Sequence, residues 1–205
     1  MPTSVHLTRA ATRRWNRQAR CYDLMTAPME RMLGLAAARG PLFAGLKGRV
    51  LEVGAGTGKN LRHYGEDAAI VASDLSPGML GRLRARASAS TASRLVAADV
   101  EDLPFRAGTF DAVVASCVFC SVPDPMRGLG EIRRVLKDGG QLRLLEHVRP
   151  PGWCGRVFDF LDPLAARLAG PHINRTTVDS VRHAGFVVFE ETDVFSDWVK
   201  VIVAR

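Results

Sequence analysis

An α/β fold, a mostly parallel sheet with helices on both faces, is predicted by three observations. From Arg49 onward, short apolar or β-branched runs alternate with stretches of helical spacing. The first apolar run leads into a glycine-rich turn, and the second and third lead into aspartates, Asp74 and Asp99. At 205 residues and 47% hydrophobic content the chain can fill one sizeable core but not two, so one domain is expected.

The first 48 residues are expected to be a helical lid packed on the domain formed by residues 49–205. Within them Arg9, Arg13, Arg17 and Arg20 recur at helical spacing, leaving Leu7, Ala11, Trp15 and Tyr22 nearer the opposite face. Much of the formal charge of +7 sits in this segment, since these arginines with Arg14 precede the first acid, Asp23. Two readings follow for the basic face. It is the solvated outside of a helix that lids a ligand, or it contacts an anionic membrane surface. Nucleic acid is disfavoured, because no aromatic-interleaved basic sheet or known recognition motif accompanies the charge.

The predicted strands are Arg49–Val53, Ala69–Asp74, Arg94–Ala98, Phe110–Cys117 and Gln141–His147, each bounded by Gly, Pro, Asp or Ser. Between them Gly58–Tyr64, Pro77–Ala87 and Pro125–Leu136 have helical spacing, and Pro77 and Pro125 suit a first turn, where a missing N–H is harmless. After His147 the alternation stops at Arg149-Pro150-Pro151-Gly152, and Trp153–Ala169 is expected to be an inserted apolar helix, suited to a substrate lid. A helix over Thr176–Ala184 ends at Gly185, and Phe186–Glu190 with Trp198–Ala204 would close the sheet as a hairpin-like pair.

No apolar run is long enough to cross a bilayer, and Met1–Ala10 lacks the apolar stretch of a secretory signal, so a cytoplasmic address is expected. The four cysteines, Cys21, Cys117, Cys120 and Cys154, are too few for a disulfide framework and are expected as free thiols. Cys117 and Cys120 have metal-like spacing, but no further Cys or His ligands accompany them, so no metal site is assigned.

In Val50–Gly58 the glycines follow a Gly-x-Gly-x-Gly spacing, with Lys59 where a dinucleotide fingerprint needs glycine. Lys59 is followed by Asn60, so a P-loop is excluded as well. Asp74 ends the second strand, where a carboxylate can accept both hydroxyls of a ribose. Asp99 follows the third, where one can accept from an adenine amino group. Glycine turn and two acids together make a nucleoside-binding constellation.

On these residues the chain resembles the class I methyltransferases that use S-adenosylmethionine (SAM). Leu103-Pro104-Phe105 with Thr109–Val113, and Glu131–Gly140, resemble two further motifs of that superfamily, with Asp138 where proline is usual. The resemblance implies a Rossmann-like, seven-stranded, mostly parallel sheet with an antiparallel last strand and N-terminal lid helices. It also implies methyl transfer from SAM, with S-adenosylhomocysteine (SAH) as product. In this pattern Gly54, Ala55, Gly56 and Gly58 approach the methionine part of SAM, Asp74 the ribose, and Asp99 with Val100 the adenine. Leu75 and Met79 pack on the nucleoside, Glu52 orients the loop, and Ser116 and Cys117 face the sulfonium.

The stretch from Trp15 to Met25 resembles the N-terminal helix of quinone-ring C-methyltransferases and bacterial phospholipid N-methyltransferases, which implies that Tyr22 closes over SAM. Cys117–Val122, Leu145–Val148 and Leu161-Asp162-Pro163 resemble membrane-associated thiol methyltransferases. All three groups take lipophilic acceptors, so a small hydrophobic acceptor is expected, with its S, N, O or C atom open. His147, at the end of the fifth strand, is a candidate general base, with a satisfied loop histidine as its alternative; His172 and Asp159 are lesser candidates. Three rival functions stay open at this point: a membrane-surface phosphatidylethanolamine N-methyltransferase, a non-catalytic SAM-binding protein, and a nicotinamide oxidoreductase. Lys59 and Asp99 argue against the last.

Overall fold

The computed structural model describes residues 4–92, 94–168 and 170–205. Three helices come first: α1 (Ser4–Gln18), α2 (Tyr22–Met32) and α3 (Leu35–Phe43). The expected basic helix is the first of these, and it ends at Gln18, so Arg20 falls after it and Tyr22 opens the next helix. Gly34, in the left-handed region at φ 67°, makes the corner between α2 and α3.

The sheet is built from β1 (Gly48–Val53), β2 (Ala68–Asp74), β3 (Leu95–Ala97), β4 (Phe110–Ser116), β5 (Leu136–His147), β6 (Val188–Phe195) and β7 (Val199–Ala204). Their order is β3-β2-β1-β4-β5-β7-β6. β1 through β5 pair in parallel, while β7 runs antiparallel to both β5 and β6. The central strands are buried on both faces, which is why they are nearly continuous apolar runs in the sequence.

The intervening helices are α4 (Pro77–Arg84), a short α5 (Ala89–Ala92), α6 (Pro125–Val135), α7 (Gly152–Leu168) and α8 (Thr177–His183). α4 and α6 start in the same way. Ser76 and Asp124 accept from the backbone N–H of Met79 and Arg127, and proline fills the first turn behind each cap. Each cap contributes on the order of 1 kcal/mol. One core packs Leu129 and Ile132 of α6 on Leu51, Val113 and Leu144; the other packs Leu42 and Phe43 of α3 on Val50, Val114 and Leu145.

Three expected elements differ. Gly58–Tyr64 holds only a 3-10 turn, Leu61–His63, because Gly58 at φ 87° cannot sit in a right-handed helix and Tyr64 turns its hydroxyl inward to Glu52. β5 begins at Leu136, directly after α6, and crosses a register shift before its regular part. β6 begins two residues later than expected and runs to Phe195; it is a solvent-exposed edge strand whose polar residues carry no apolar period to read. The apolar insertion is α7, and its expected last residue, Ala169, lies outside the described residues.

Candidate cofactor cleft

The strand order reverses between β1 and β4, and a cleft opens at their carboxyl ends, the position where such sheets place ligands. Its cavity volume is about 110 Å³, it is open to solvent on one side, and its polar groups come from the ends of four strands.

Gly54, Gly56 and Gly58 all have positive φ, at 63°, 57° and 87°. Their side-chain space differs. A Cβ on Gly54 would lie 2.4 Å from Val118 Cγ2, and one on Gly58 would lie 2.8 Å from Leu61 Cδ1. A Cβ on Gly56 would meet nothing nearer than 3.9 Å. Gly54 and Gly58 are therefore needed by the fold itself, whereas Gly56 leaves an open backbone surface on the cleft wall.

Asp74 ties the loop to β2. Its Oδ2 accepts from Gly56 N and its Oδ1 from Ser76 N, both at 2.8 Å. Burial pushes its carboxyl up from the ordinary value, against the two backbone donors that favour the ionised form. A carboxylate has about four acceptor positions, so capacity for two hydroxyl donors remains. Asp99 stands at the neighbouring strand end. Its Oδ1 accepts from Glu101 N at 3.0 Å and its Oδ2 from the Thr8 hydroxyl of α1 at 3.1 Å.

The N-terminal helices wall the cleft with Ala11, Trp15 and Tyr22, and the two rings meet edge to face at 6.0 Å. Asn16 Oδ1 accepts from Ser76 Oγ at 2.6 Å and from Gly78 N at 2.8 Å, so α1 is fastened at Asp99 and at the start of α4. α2 is held by charge. Asp23 accepts from Thr57 Oγ1 and pairs with Arg86, each at 2.6 Å. Lys59 Nζ donates to Thr26 at 2.6 Å, pairs with Glu30 at 2.9 Å, and lies 4.8 Å over the Tyr22 ring. The lysine that departs from a dinucleotide fingerprint is thus the anchor of the lid.

Beneath the cleft lies a buried polar network. Glu52, fully buried, accepts from Asn60 Nδ2 at 2.6 Å and from the Tyr64 hydroxyl. Arg39 Nη1 donates to Asn60 Oδ1 at 3.0 Å and to Ser116 Oγ at 2.9 Å. Most of these buried groups satisfy one another, which makes their burial tolerable, while Arg39 Nε is left without a partner.

Of the residues assigned from sequence, Tyr22, Gly54, Gly56, Asp74, Leu75, Met79, Asp99, Val100, Ser116 and Cys117 line the cleft. Glu52, Ala55, Gly58 and His147 do not. Glu52 works from behind the loop through Asn60, and Ala55 packs on Ala72 and Leu83. His147 is held in β5, its Nε2 buried without a partner, and burial lowers its pKa.

Cys117 lines the cleft in the left-handed region, at φ 56°, unusual for a residue with a Cβ. Burial raises its thiol well above the ordinary value and pushes that of Cys120 up to about 12, so both are protonated near neutrality. Glu146, fully buried, holds the loop that follows. Its Oε1 accepts from Val118 N at 2.7 Å and Phe119 N at 3.0 Å, and burial pushes its carboxyl up to about 7. Glu146, Asn16, Thr8, Thr57 and Arg39 were not assigned from sequence. An acid inside an otherwise buried strand was the available signal for Glu146; the others carry none, because their partners lie far along the chain.

A glycine turn with two acids at successive strand ends, on this strand order, defines a nucleoside-binding protein of the Rossmann-like class. Residues 51–144 match the methyltransferase domain family. A demethylmenaquinone methyltransferase of Thermus thermophilus is 36% identical over 154 residues, 74% of this chain and 63% of that protein. A phosphatidylethanolamine N-methyltransferase of Cereibacter sphaeroides is 38% identical over 103 residues, 49% of this chain and 51% of that protein. The chain thus spans roughly half to two thirds of the length of these relatives. Among solved structures, a DhpI complex with SAH superposes with a TM-score of 0.72 at 19% identity, covering 99% of this chain and 98% of that one, which is a likeness of fold. Residues 51–144 thus form a domain of the SAM-dependent methyltransferase family.

Proposed function

We propose that this chain binds SAM in the cleft and transfers its methyl group to a small apolar acceptor. The observation that carries this reading is the pairing of Asp74 and Asp99 at neighbouring strand ends, with the Asp74 carboxylate bonded to Gly56, where nothing crowds the side-chain position. Asp74 would take the ribose hydroxyls, Asp99 and Val100 the adenine, and Gly54 with Gly56 the methionine part, while Leu75 and Met79 flank the base. When bound, SAM supplies a methyl group on a positively charged sulfur that leaves without protein assistance.

The chain's own residues position and exclude water. Trp15, Tyr22 and Val118 wall the reacting end with apolar surface, and Ser116 offers it one hydroxyl, held in place by Arg39 and Asn60. Among the residues lining the cleft none is a histidine or lysine, and burial keeps the Cys117 thiol protonated. This favours acceptors with a ready nucleophile, a thiol or an amine, over a ring carbon that needs a base. The Cereibacter relative is named for methylating a phospholipid amine, which keeps a lipid amine within the acceptor class.

Calorimetric titration with SAM, SAH and NADH tests the cofactor before any acceptor is known. Binding of SAM and SAH without NADH is expected, followed by label transfer from methyl-labelled SAM to lipophilic thiols or amines. Binding of NADH alone would overturn the reading, as would tight SAM binding with no transfer to any member of those classes.

A further inference from the structure

A surface helix of a globular domain normally turns apolar side chains inward and polar ones to water. α2 does the reverse. Its inward side chains are Tyr22, Asp23, Thr26 and Glu30, engaged with Thr57, Arg86, Lys59 and Arg39. Its outward side is Leu24, Met25, Met29 and Met32, from 42% to 80% exposed, and no residue of the helix is buried.

α7 repeats the inversion independently. Trp153, Val157, Phe160, Leu161 and Leu164 fall at i, i+4, i+7, i+8 and i+11, a single helical stripe. Trp153 is 75% exposed and Phe160 83%, whereas Gly155 and Asp162 on the opposite side are buried. Isolated apolar side chains on a surface need no explanation, but two complete stripes do.

Both helices stand at the carboxyl edge of the sheet, around the cleft. Tyr22 at the start of α2 lines it; α7 follows β5 and stacks Phe158 on Trp198, just before β7, at 4.8 Å. α1 links them, touching α2 through Trp15 and Tyr22, and α7 through Arg14 Nη1 on the Ala166 carbonyl at 3.3 Å. α1 contains no acidic residue, and Arg9, Arg13 and Arg17 along it, with Arg20 just after it, are exposed.

We propose that the outward faces of α2 and α7 dock on a lipid bilayer rich in anionic lipid, with the arginines of α1 on the headgroups. Charge selects this occupant. A second copy brought face to face would oppose two arginine rows on chains of net charge +7, whereas an anionic bilayer offers both the apolar layer and the counter-charge. The contact is peripheral: among the described residues no helix is long and apolar enough to cross a membrane. The inference stands apart from methyl transfer and can fail or succeed without it.

The test is co-sedimentation of the full chain with vesicles of phosphatidylcholine and phosphatidylglycerol in roughly equal parts, against phosphatidylcholine alone, at about 0.1 M salt. Met29→Ser with Met32→Ser alters α2, and Trp153→Ser with Phe160→Ser alters α7; all four positions are exposed and none lines the cleft. The expected result is preferential binding to the anionic vesicles, reduced about tenfold or more by either pair, with unchanged thermal melting and SAH affinity. Three results would overturn the proposal. The native chain stays in the supernatant; both pairs sediment as well as the native chain, leaving the arginines as the whole contact; or the chain dimerises in solution through these positions and ignores vesicles.

Discussion

Removing the Asp74 carboxylate should weaken both cofactor binding and folding, and the size of each effect can be worked from the bonds around it. In Asp74→Ala the cleft loses an acceptor that each ribose hydroxyl would use, and charge-assisted bonds of this kind contribute roughly 1.5 kcal/mol or more apiece. Two of them amount to about 3 kcal/mol, or about two orders of magnitude in affinity, which water entering the gap would reduce. A loss of at least tenfold for SAM and SAH is expected. Folding should suffer as well, because the N–H groups of Gly56 and Ser76 both donate to this side chain and lose their acceptor. A drop of about 2 kcal/mol in stability is expected for the pair. Calorimetry at 25 °C reads the affinity and a urea titration the stability, with exposed Asp138→Ala as the control. A cooperatively folded Asp74→Ala protein that binds SAH as tightly as the native chain would refute the placement of the ribose.

Three further outcomes are expected. Gly54→Ala should lower stability by more than about 2 kcal/mol, since its Cβ would lie 2.4 Å from Val118 Cγ2 at a positive φ, whereas Gly56→Ala should cost about 1 kcal/mol in urea titration and lose most SAH binding; equal stability losses would contradict the distinct roles. Glu146 has its carboxyl raised from 4.5 to about 7, so its contribution is full below pH 4.5 and is lost as pH rises through 7, a difference of about 3 kcal/mol. Glu146→Gln should therefore flatten the fall in urea midpoint between pH 5 and pH 8, and an unchanged pH slope would rule the effect out. Lys59→Gly removes the contacts to Thr26 and Glu30, so trypsin should cut within α2 faster while NADH still fails to bind; gain of NADH binding would mean that the glycine spacing alone selects the ligand.

The parts of the fold legible in the sequence are those in which a local pattern and the tertiary environment agree. β1, β2 and β4 are sealed on both faces and read as apolar runs, and Ser76-Pro77 and Asp124-Pro125 announce their helices through capping chemistry that needs no distant partner. The cleft residues Gly54 and Asp74 are legible because each sits at the end of such a strand, and Asp99 because it follows the short third strand in the same pattern. β6 was misplaced because an exposed edge owes its position to bonds from β7 and not to its own side chains. The lid network was invisible for a related reason: Asp23 with Arg86 and Glu30 with Lys59 are ordinary surface charges until the fold brings them together. Period alone also misleads at Met25, Met29 and Met32, whose spacing suggests a core-facing helix and whose side chains face solvent.

The charge bonds on the inner side of α2 set more than the position of that helix. Because Asp23 is pinned to Thr57 and Arg86, and Glu30 to Lys59 and Arg39, the helix cannot roll about its axis without breaking bonds at two points along its inner side at once. Its outward direction is thereby keyed to the glycine loop, two of whose residues, Thr57 and Lys59, are teeth of the same gear. Any displacement of α2 must therefore carry Thr57 and Lys59 with it or break these bonds, so the helix and the end of the loop are held as one piece.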